Sequence, residues 1–175
     1  LDLFTANGHL ENDINRVQES QHYEQSPQLF WNCGPDSTTE FVPLTNEQCG
    51  TDLFNRMVGR AAVVADFDLD GDPDILITAC GQKPRLLRND QTTGHNWITL
   101  EVDAPIGSIV EVHAGGLIQK QQIMPTRSYL TQGDRSLSFG LGTSESIDSV
   151  SIRKPGSVEN VKEHILDAVN RLQKL

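Results

Sequence analysis

Residues 66–74 read Asp-Phe-Asp-Leu-Asp-Gly-Asp-Pro-Asp, and they lie between two short apolar runs of the 175-residue chain. Ala61-Ala-Val-Val64 precedes this acidic segment, and Ile75-Leu-Ile77 follows it. Short apolar runs that are rich in β-branched residues and bounded by turn residues are typical of strands. The sequence therefore predicts a strand–loop–strand unit, which indicates a β fold.

The acidic loop carries oxygen ligands at a regular spacing. Carboxylates stand at positions 1, 3, 5 and 9 of the loop, which are Asp66, Asp68, Asp70 and Asp74. Gly71, at position 6, permits the sharp turn that wraps a chain around a cation. The Asp72 carbonyl would add a fifth oxygen, and calcium takes six to eight oxygens with flexible geometry. The pattern predicts a calcium site, with a solvated acidic turn as the alternative.

The loop differs from an EF-hand at the position that such a site needs most. An EF-hand requires a bidentate Glu at position 12, where this chain has Ile77 within an apolar strand. No helical pattern flanks the loop on either side. We therefore expect the ion to brace a β-hairpin, and we do not expect a calcium sensor that opens helices.

Two segments of the chain resemble each other. In the first, Asp2-Leu-Phe-Thr-Ala-Asn-Gly8 is followed later by Pro27-Gln-Leu-Phe-Trp-Asn32. In the second, Asp74-Ile-Leu-Ile-Thr-Ala-Cys-Gly81 is followed by Pro84-Arg-Leu-Leu-Arg-Asn89. Repeated strand pairs predict a β-propeller or a similar array, and chance similarity of two hairpins is the alternative. Because Asp2 is equivalent to Asp74, we expect the chain to be the C-terminal part of something longer.

A different pattern begins at Trp97. Short alternating runs follow one another there: Trp97–Val102, Ser108–His113, Ser136–Phe139 and Ser149–Ile152. Glycine-punctuated strands of this length predict a small sandwich or barrel. The polar stretch 91–94 separates the two patterns, so we predict one domain over residues 1–93 and a second over residues 94–175.

The last 18 residues allow two interpretations. Apolar residues at helical spacing favour an amphipathic helix: Val158, Val161, Ile165, Val169 and Leu172. The same residues are also compatible with two short strands around a turn at 167–170.

Composition and charge exclude several classes of protein. The net charge of −10 and the pI of about 4.8 argue against a nucleic-acid partner, because neutralising phosphates requires clustered Lys and Arg. No apolar stretch approaches the length of a membrane span. No arrangement of nucleophile, acid and base indicates catalysis, and we expect no catalytic residues.

The cysteines and tryptophans have structural interpretations. Cys33 and Cys49 flank a polar stretch, so a disulfide between them is one possibility and two free thiols are the other. Cys80 reads as a small buried thiol. Trp31 and Trp97 fall at alternating apolar positions and read as core residues.

Two family resemblances cover nearly the whole chain. The run Gly59–Ile77 is similar to an FG-GAP/VCBS propeller repeat. The later part resembles an ASPIC/UnbV domain, on motifs at His95–Trp97, Ile106–Gly107, Gly115–Gly116, Ser128–Gln132, Phe139–Gly142, Asp148–Ile152 and Pro155–Gly156. In this order the two resemble the C-terminal end of the cartilage acidic protein-like family.

The resemblance implies a partial β-propeller with a calcium loop, followed by a small β-sandwich-like domain, in a secreted or periplasmic protein. It implies calcium ligation by Asp66, Asp68, Asp70, Asp72 (through its carbonyl) and Asp74, and it implies strands in the tail. The short loop between Val102 and Ile106 and the residue Lys154 depart from the family pattern.

We therefore expect an all-β, calcium-binding extracellular module for interaction or adhesion that has no enzymatic activity. Its partner would be a protein, a glycan or the remaining propeller blades. A structural subunit of a larger assembly is the alternative, and a hydrolase acting on polysaccharide is a weaker one that rests on fold analogy.

Overall fold

The computed structural model of the chain describes residues 2–34, 37–157, 162–166 and 169–175, with the backbone alone for 162–166. Within these ranges the regular structure is mainly strand. The helical segments are single turns: α1 Ile14–Val17, α2 Asn46–Cys49 and a 3₁₀ turn at Asp52–Phe54. The all-β prediction is therefore confirmed. Among the described residues, no helix has the length and apolar character to span a membrane.

The backbone contacts divide the chain into two compact units. The first comprises Leu1–Val64, Asp74–Arg88 and Ser128–Thr131. The second comprises Ala65–Pro73, Asn89–Arg127 and Gln132–Leu175. The predicted domain boundary between residues 93 and 94 stays a prediction.

Six strands form two small open sheets. The first sheet has the order β1-β2-β3, and the second has the order β4-β5-β6. Their bounds are β1 Leu3–Thr5, β2 Gln28–Asn32, β3 Phe41–Pro43, β4 Gly59–Ala65, β5 Asp74–Ala79 and β6 Arg85–Leu87. The predicted strands on both sides of the acidic loop are thus present as β4 and β5, which are neighbours in one sheet.

The two similar sequence segments form strand pairs of the same register. Both pairs are antiparallel, and they superimpose in sequence when Asp2 is aligned with Asp74. The partners are Leu3–Phe30, Phe4–Leu29 and Thr5–Gln28 in β1–β2, and Ile75–Leu87, Leu76–Leu86 and Ile77–Arg85 in β5–β6. The repeat found in the sequence is therefore also a repeat in backbone pairing.

The second unit contains two further sheets. One has the order β10-β7-β13, with β13 parallel to β7, and the other has the antiparallel order β12-β11-β8-β9. Their bounds are β7 Asn96–Glu101, β8 Ile109–Ala114, β9 Leu117–Gln122, β10 Leu137–Gly142, β11 Ile147–Arg153, β12 Lys162–Leu166 and β13 Arg171–Lys174.

Both sheets of this unit bury side chains in one core. Every second residue of β8 and β10 is buried, as expected for strands with one face turned inward. The described core residues are Ile98, Leu100, Val102, Ala104, Val110, Val112, Ala114, Ile123, Leu137, Phe139, Leu141, Ile147, Val150 and Ile152. Shared burial of this kind is what holds two facing sheets together.

Two glutamines of β9 bind the backbone of β10. The side-chain amide of Gln119 donates to the Gly140 carbonyl oxygen at 2.6 Å, and that of Gln121 donates to the Ser138 carbonyl oxygen at 2.6 Å. β9 and β10 are edge strands of their sheets. Backbone carbonyl oxygens of β10 therefore accept from side-chain amides of β9 and not from a neighbouring strand.

The helical interpretation of the tail is wrong for the described residues. Lys162–Leu166 pairs with β11 and Arg171–Lys174 pairs with β7, so the tail forms two strands. Val169 and Leu175 pack against the shared core. Pairing with existing sheets outweighs the helical spacing of the apolar residues, as tertiary context commonly does. Val158, Val161 and the first part of the expected turn, residues 167–168, lie outside the described residues.

Of the two alternatives for Cys33 and Cys49 the structure has free thiols, and the interpretations of Cys80 and Trp31 as buried residues are wrong. Cys33 and Cys49 are free and partly buried, so they are not joined by a disulfide. Cys80 is exposed; it follows the last residue of β5, where the chain turns away from the sheet. Trp31 is 55% exposed, since alternation along β2 places it opposite the half-buried Phe30.

A small ion-pair network lies on β8 and β9. Glu111 accepts from Lys120 Nζ at 2.7 Å and contacts His113 Nε2 at 2.6 Å. These two hydrogen bonds, that from Lys120 first, hold the pKa of Glu111 below its usual 4.5. The folded state therefore prefers the ionised carboxylate.

Glu111→Gln is expected to lose a stabilisation that depends on pH. Because the folded pKa of Glu111 is depressed, the stabilisation is present above the unfolded pKa and disappears as the pH falls through the folded one. The difference in urea midpoint between wild type and Glu111→Gln should shrink from about pH 7 to about pH 3. Glu145→Gln, at an exposed loop position, is the control, and an equal trend in both variants would contradict the prediction.

Candidate metal centre

The acidic loop connects β4 to β5 and gathers three carboxylates. One oxygen from each of Asp66, Asp68 and Asp74 lies within 4.8 Å of the others. Asp66 follows β4 directly and Asp74 is the first residue of β5. The strand ends therefore set two of the positions, and the loop between them returns Asp68 to the same place.

The three carboxylates differ strongly in exposure. Asp74 is only 1% exposed, Asp66 is half-buried and Asp68 is exposed. Two unit charges about 5 Å apart repel by about 3 kcal/mol at an effective dielectric constant near 20. A positive charge placed among the three carboxylates would offset this repulsion. The cluster therefore favours binding of a positive charge.

The donor set fits calcium. Three atoms no more than 4.8 Å apart are at most about 2.8 Å from a common centre, close to the 2.3–2.6 Å of calcium–oxygen bonds. All three donors are carboxylate oxygens, which suit hard cations, whereas zinc and copper sites use His or Cys. The exposed side at Asp68 leaves room for further oxygen ligands.

Hydrogen bonds within the loop orient one of the three carboxylates. Asp66 Oδ1 accepts from the Asp70 backbone N–H at 3.2 Å, and Asp66 Oδ2 accepts from the Gly71 N–H at 3.0 Å. Asp70 Oδ1 accepts from the Asp72 N–H at 3.0 Å. These bonds close a tight turn around the Asp66 side chain and thereby fix its position.

The structure brings together three of the five predicted ligands. Asp70 lies outside the group of carboxylates and supports the turn at the Asp72 N–H. The predicted ligand from Asp72 is its backbone carbonyl oxygen. The group of three carboxylates contains side-chain atoms only, so it does not test this ligand. The role of both residues as ligands stays a prediction. Within the described ranges, no second group of three or more His, Cys, Asp or Glu ligands is present.

Two residues of the loop adopt left-handed backbone conformations. Gly71 has φ +99°, as expected from its place at the sharp turn, and Leu69 has φ +63°. Such a conformation costs roughly 1–2 kcal/mol for a residue with a side chain. The sequence pattern identified the first of these positions but gave no signal for the second.

Gly71 lies directly against the indole ring of Trp97. A methyl group on the Gly71 Cα would overlap several ring atoms of Trp97. Gly71 is buried and Trp97 is half-buried. The glycine is therefore required twice, once for its φ angle and once for the close approach of the ring.

Sequence reasoning assigned Trp97 to the core and missed its contact with the loop. No spacing rule connects residues 71 and 97, because the contact depends on tertiary packing. Gly71 at position 6 of the loop indicated a turn. The sequence around Gly71 gave no indication that the Trp97 ring packs against it.

Comparison with known proteins identifies part of the chain. Residues 101–173 match the family described as ASPIC and UnbV. No curated protein matches the chain. The resemblance of the later part to an ASPIC/UnbV domain is therefore confirmed over these residues, and the resemblance of residues 59–77 to FG-GAP/VCBS repeats stays a prediction.

Gly71→Ala is expected to destabilise the fold more than an alanine substitution at another left-handed glycine. Gly116 has φ +79° with open space around it, so Gly116→Ala should cost roughly 1–2 kcal/mol for the backbone conformation alone. Gly71→Ala adds the overlap with Trp97, which is worth about 1–3 kcal/mol more. Urea unfolding measures both variants, and equal losses would contradict the close contact.

Proposed function

We propose that this chain is a calcium-binding extracellular or periplasmic module that acts by binding a partner and not by catalysis. In this proposal the ion is held by the loop 66–74 and braces the β4–β5 hairpin. The two strand pairs of equal register would belong to propeller blades of the FG-GAP/VCBS type. The partner would be a protein or a glycan.

One observation supports the proposal most strongly. Asp74 is almost fully buried beside the carboxylates of Asp66 and Asp68. An acidic turn that had only to be soluble would place its charges in water, where their repulsion is screened. A divalent ion offsets the repulsion and allows the two strands to approach.

Two features support binding over catalysis. The three gathered carboxylates fit a cation, and Asp70 supports the turn through its bond from the Asp72 N–H. The match to ASPIC and UnbV supports no particular reaction. The alternative of a hydrolase acting on polysaccharide rests on analogy of fold alone, and we assign no catalytic residue to it.

The acidic surface limits the kind of partner. With a net charge of −10, the chain repels nucleic acid and anionic surfaces and favours a basic or neutral partner. Exposed carboxylates at low millimolar calcium would also be partly neutralised. Calcium would therefore influence the binding of a partner as well as the stability of the hairpin.

Asp68→Asn is expected to weaken calcium binding with little effect on the fold, because Asp68 is the exposed member of the group. Isothermal titration should detect one calcium site in the wild type and at least tenfold weaker binding in the variant. Calcium at about 100 times its dissociation constant should add about 2.7 kcal/mol to the wild-type free energy of unfolding.

Asp148→Asn is the matched control, since it removes an exposed carboxylate from β11 in the ASPIC/UnbV part. It should leave the calcium affinity and the effect of a chelator on melting unchanged. The absence of heat with the wild type, together with equal melting in calcium and in chelator, would overturn the proposal.

A structural role in a larger assembly is the second candidate, and a specific observation favours it. Apolar side chains on the small sheets of the first unit are exposed: Leu3 on β1, Trp31 on β2, Val42 on β3 and Leu86 on β6. Trp31 and Val42 are paired across β2 and β3, and adjacent exposed apolar residues mark surfaces that another protein covers. In this candidate, further blades or a second copy would bury them.

Trp31→Ser is expected to reduce self-association of the chain, because it removes the largest exposed ring of these sheets. Sedimentation velocity at increasing concentration measures the effect in calcium-containing buffer. Leu117→Ser is the control, since Leu117 is similarly exposed on β9 of the other unit. A wild type that stays monomeric over the whole range would contradict this role.

A further inference from the structure

We infer that Trp97 is a positioning residue of the cation loop and that Asn170 holds Trp97 in place. The C-terminal segment would then control the cation affinity of a loop that is a hundred residues earlier in the sequence. This inference rests on the proposed calcium binding by residues 66–74 and deepens it by assigning its regulation.

The first step links the indole ring to a carboxylate. Trp97 contacts the buried Gly71 so closely that no side chain fits between them. The Gly71 backbone N–H donates to Asp66 Oδ2 at 3.0 Å. The ring therefore sets the position of the peptide group that orients Asp66, one of the three gathered carboxylates.

The second step links Trp97 to the end of the chain. The Asn170 side-chain oxygen accepts from the Trp97 backbone N–H at 2.9 Å, and the Asn170 backbone N–H donates to the Trp97 carbonyl oxygen at 2.7 Å. The side-chain amide of Asn170 also donates to Asn96 Oδ1 at 2.8 Å. Asn170 thus holds both backbone polar groups of Trp97.

The conformation of Asn170 fits this role. Its φ of +56° lies in the left-handed region, which Asn adopts more readily than most residues. It precedes β13, which runs parallel to β7 from Ile98 to Glu101. The turn at Asn170 therefore holds the start of β7, where Trp97 lies, and the strand after it pairs with the rest of β7.

Contacts around metal ligands control affinity because they preorganise the ligand oxygens. Outer contacts of this kind typically change metal affinity by 10–100-fold when they are removed. By linkage, a loop that binds calcium more tightly when Trp97 is packed must also hold Trp97 more firmly when calcium is bound. The two tryptophans of the chain make this reciprocal effect measurable.

The first experiment follows the emission of Trp97 alone. Trp31→Phe leaves Trp97 as the single tryptophan, and Trp97→Phe leaves Trp31 as the single one. Calcium titration of the Trp31→Phe protein should give a saturable change in emission with the midpoint found by calorimetry. The Trp97→Phe protein should give no such change.

The second experiment measures calcium affinity by isothermal titration. Trp97→Ala should raise the dissociation constant by about tenfold. Asn170→Gly keeps the left-handed backbone but removes both side-chain hydrogen bonds, to Trp97 and to Asn96. It should raise the dissociation constant by roughly two- to tenfold, as expected when the one bond to Trp97 positions the ring. Gln122→Ala removes a bond to the Gly107 carbonyl oxygen in the same unit and should leave affinity unchanged.

The outcomes separate this inference from the proposed function. If the wild type binds no calcium, the proposed function fails and the inference fails with it. If the wild type binds calcium but Trp97 emission stays constant and Asn170→Gly keeps the wild-type affinity, the inference alone fails. Should Trp97→Ala not fold, the emission titration and Asn170→Gly still decide between these results.

Discussion

The mutual repulsion of three carboxylates is the constraint on which the loop 66–74 depends. Asp66 and Asp74 are brought together by the ends of two neighbouring strands, and Asp68 joins them from the loop. Burial of Asp74 removes the screening that water would provide. Three features hold the carboxylates close together. They are the left-handed conformations of Leu69 and Gly71, the hydrogen bonds to Asp66 and the packing of Gly71 against Trp97.

This arrangement differs from an EF-hand in how it uses the ion. An EF-hand places its loop between helices whose angle can change, so that binding alters the exposed surface. Here the loop ends at strands whose neighbours in the sheet fix their direction. An ion at this place would therefore stabilise one geometry of the two strands and would not change the exposed surface.

Local patterns in the sequence predicted the β class, the strands around the loop and the repeated strand pair. Each of these depends on alternation or on turn residues within about ten positions, which is the range where such signals are strong. The match of residues 101–173 to ASPIC and UnbV agrees with the motifs at Gly115–Gly116 and Phe139–Gly142. The gathering of Asp66, Asp68 and Asp74 also follows from the spacing of a single loop.

Long-range packing explains what the sequence could not predict. The partners Asn170 and Trp97 are 73 residues apart, and neither has a pattern that points to the other. In the tail, Ile165, Val169 and Leu172 lie in or beside strands because β11 and β7 offer unpaired edges to the chain. Successive residues of β2 face opposite sides of the sheet, so Phe30 lies on the half-buried side and Trp31 on the exposed side.

The contacts of Gln119 and Gln121 with β10 have a consequence for how the molecule behaves in a crowded solution. An outer strand with free carbonyl oxygens is a template on which another extended chain can add itself and start aggregation. The two amides donate to the carbonyl oxygens of Ser138 and Gly140, so this edge of the sheet is already capped. Such a cap protects the edge without introducing a charge or a proline, which are the more common means.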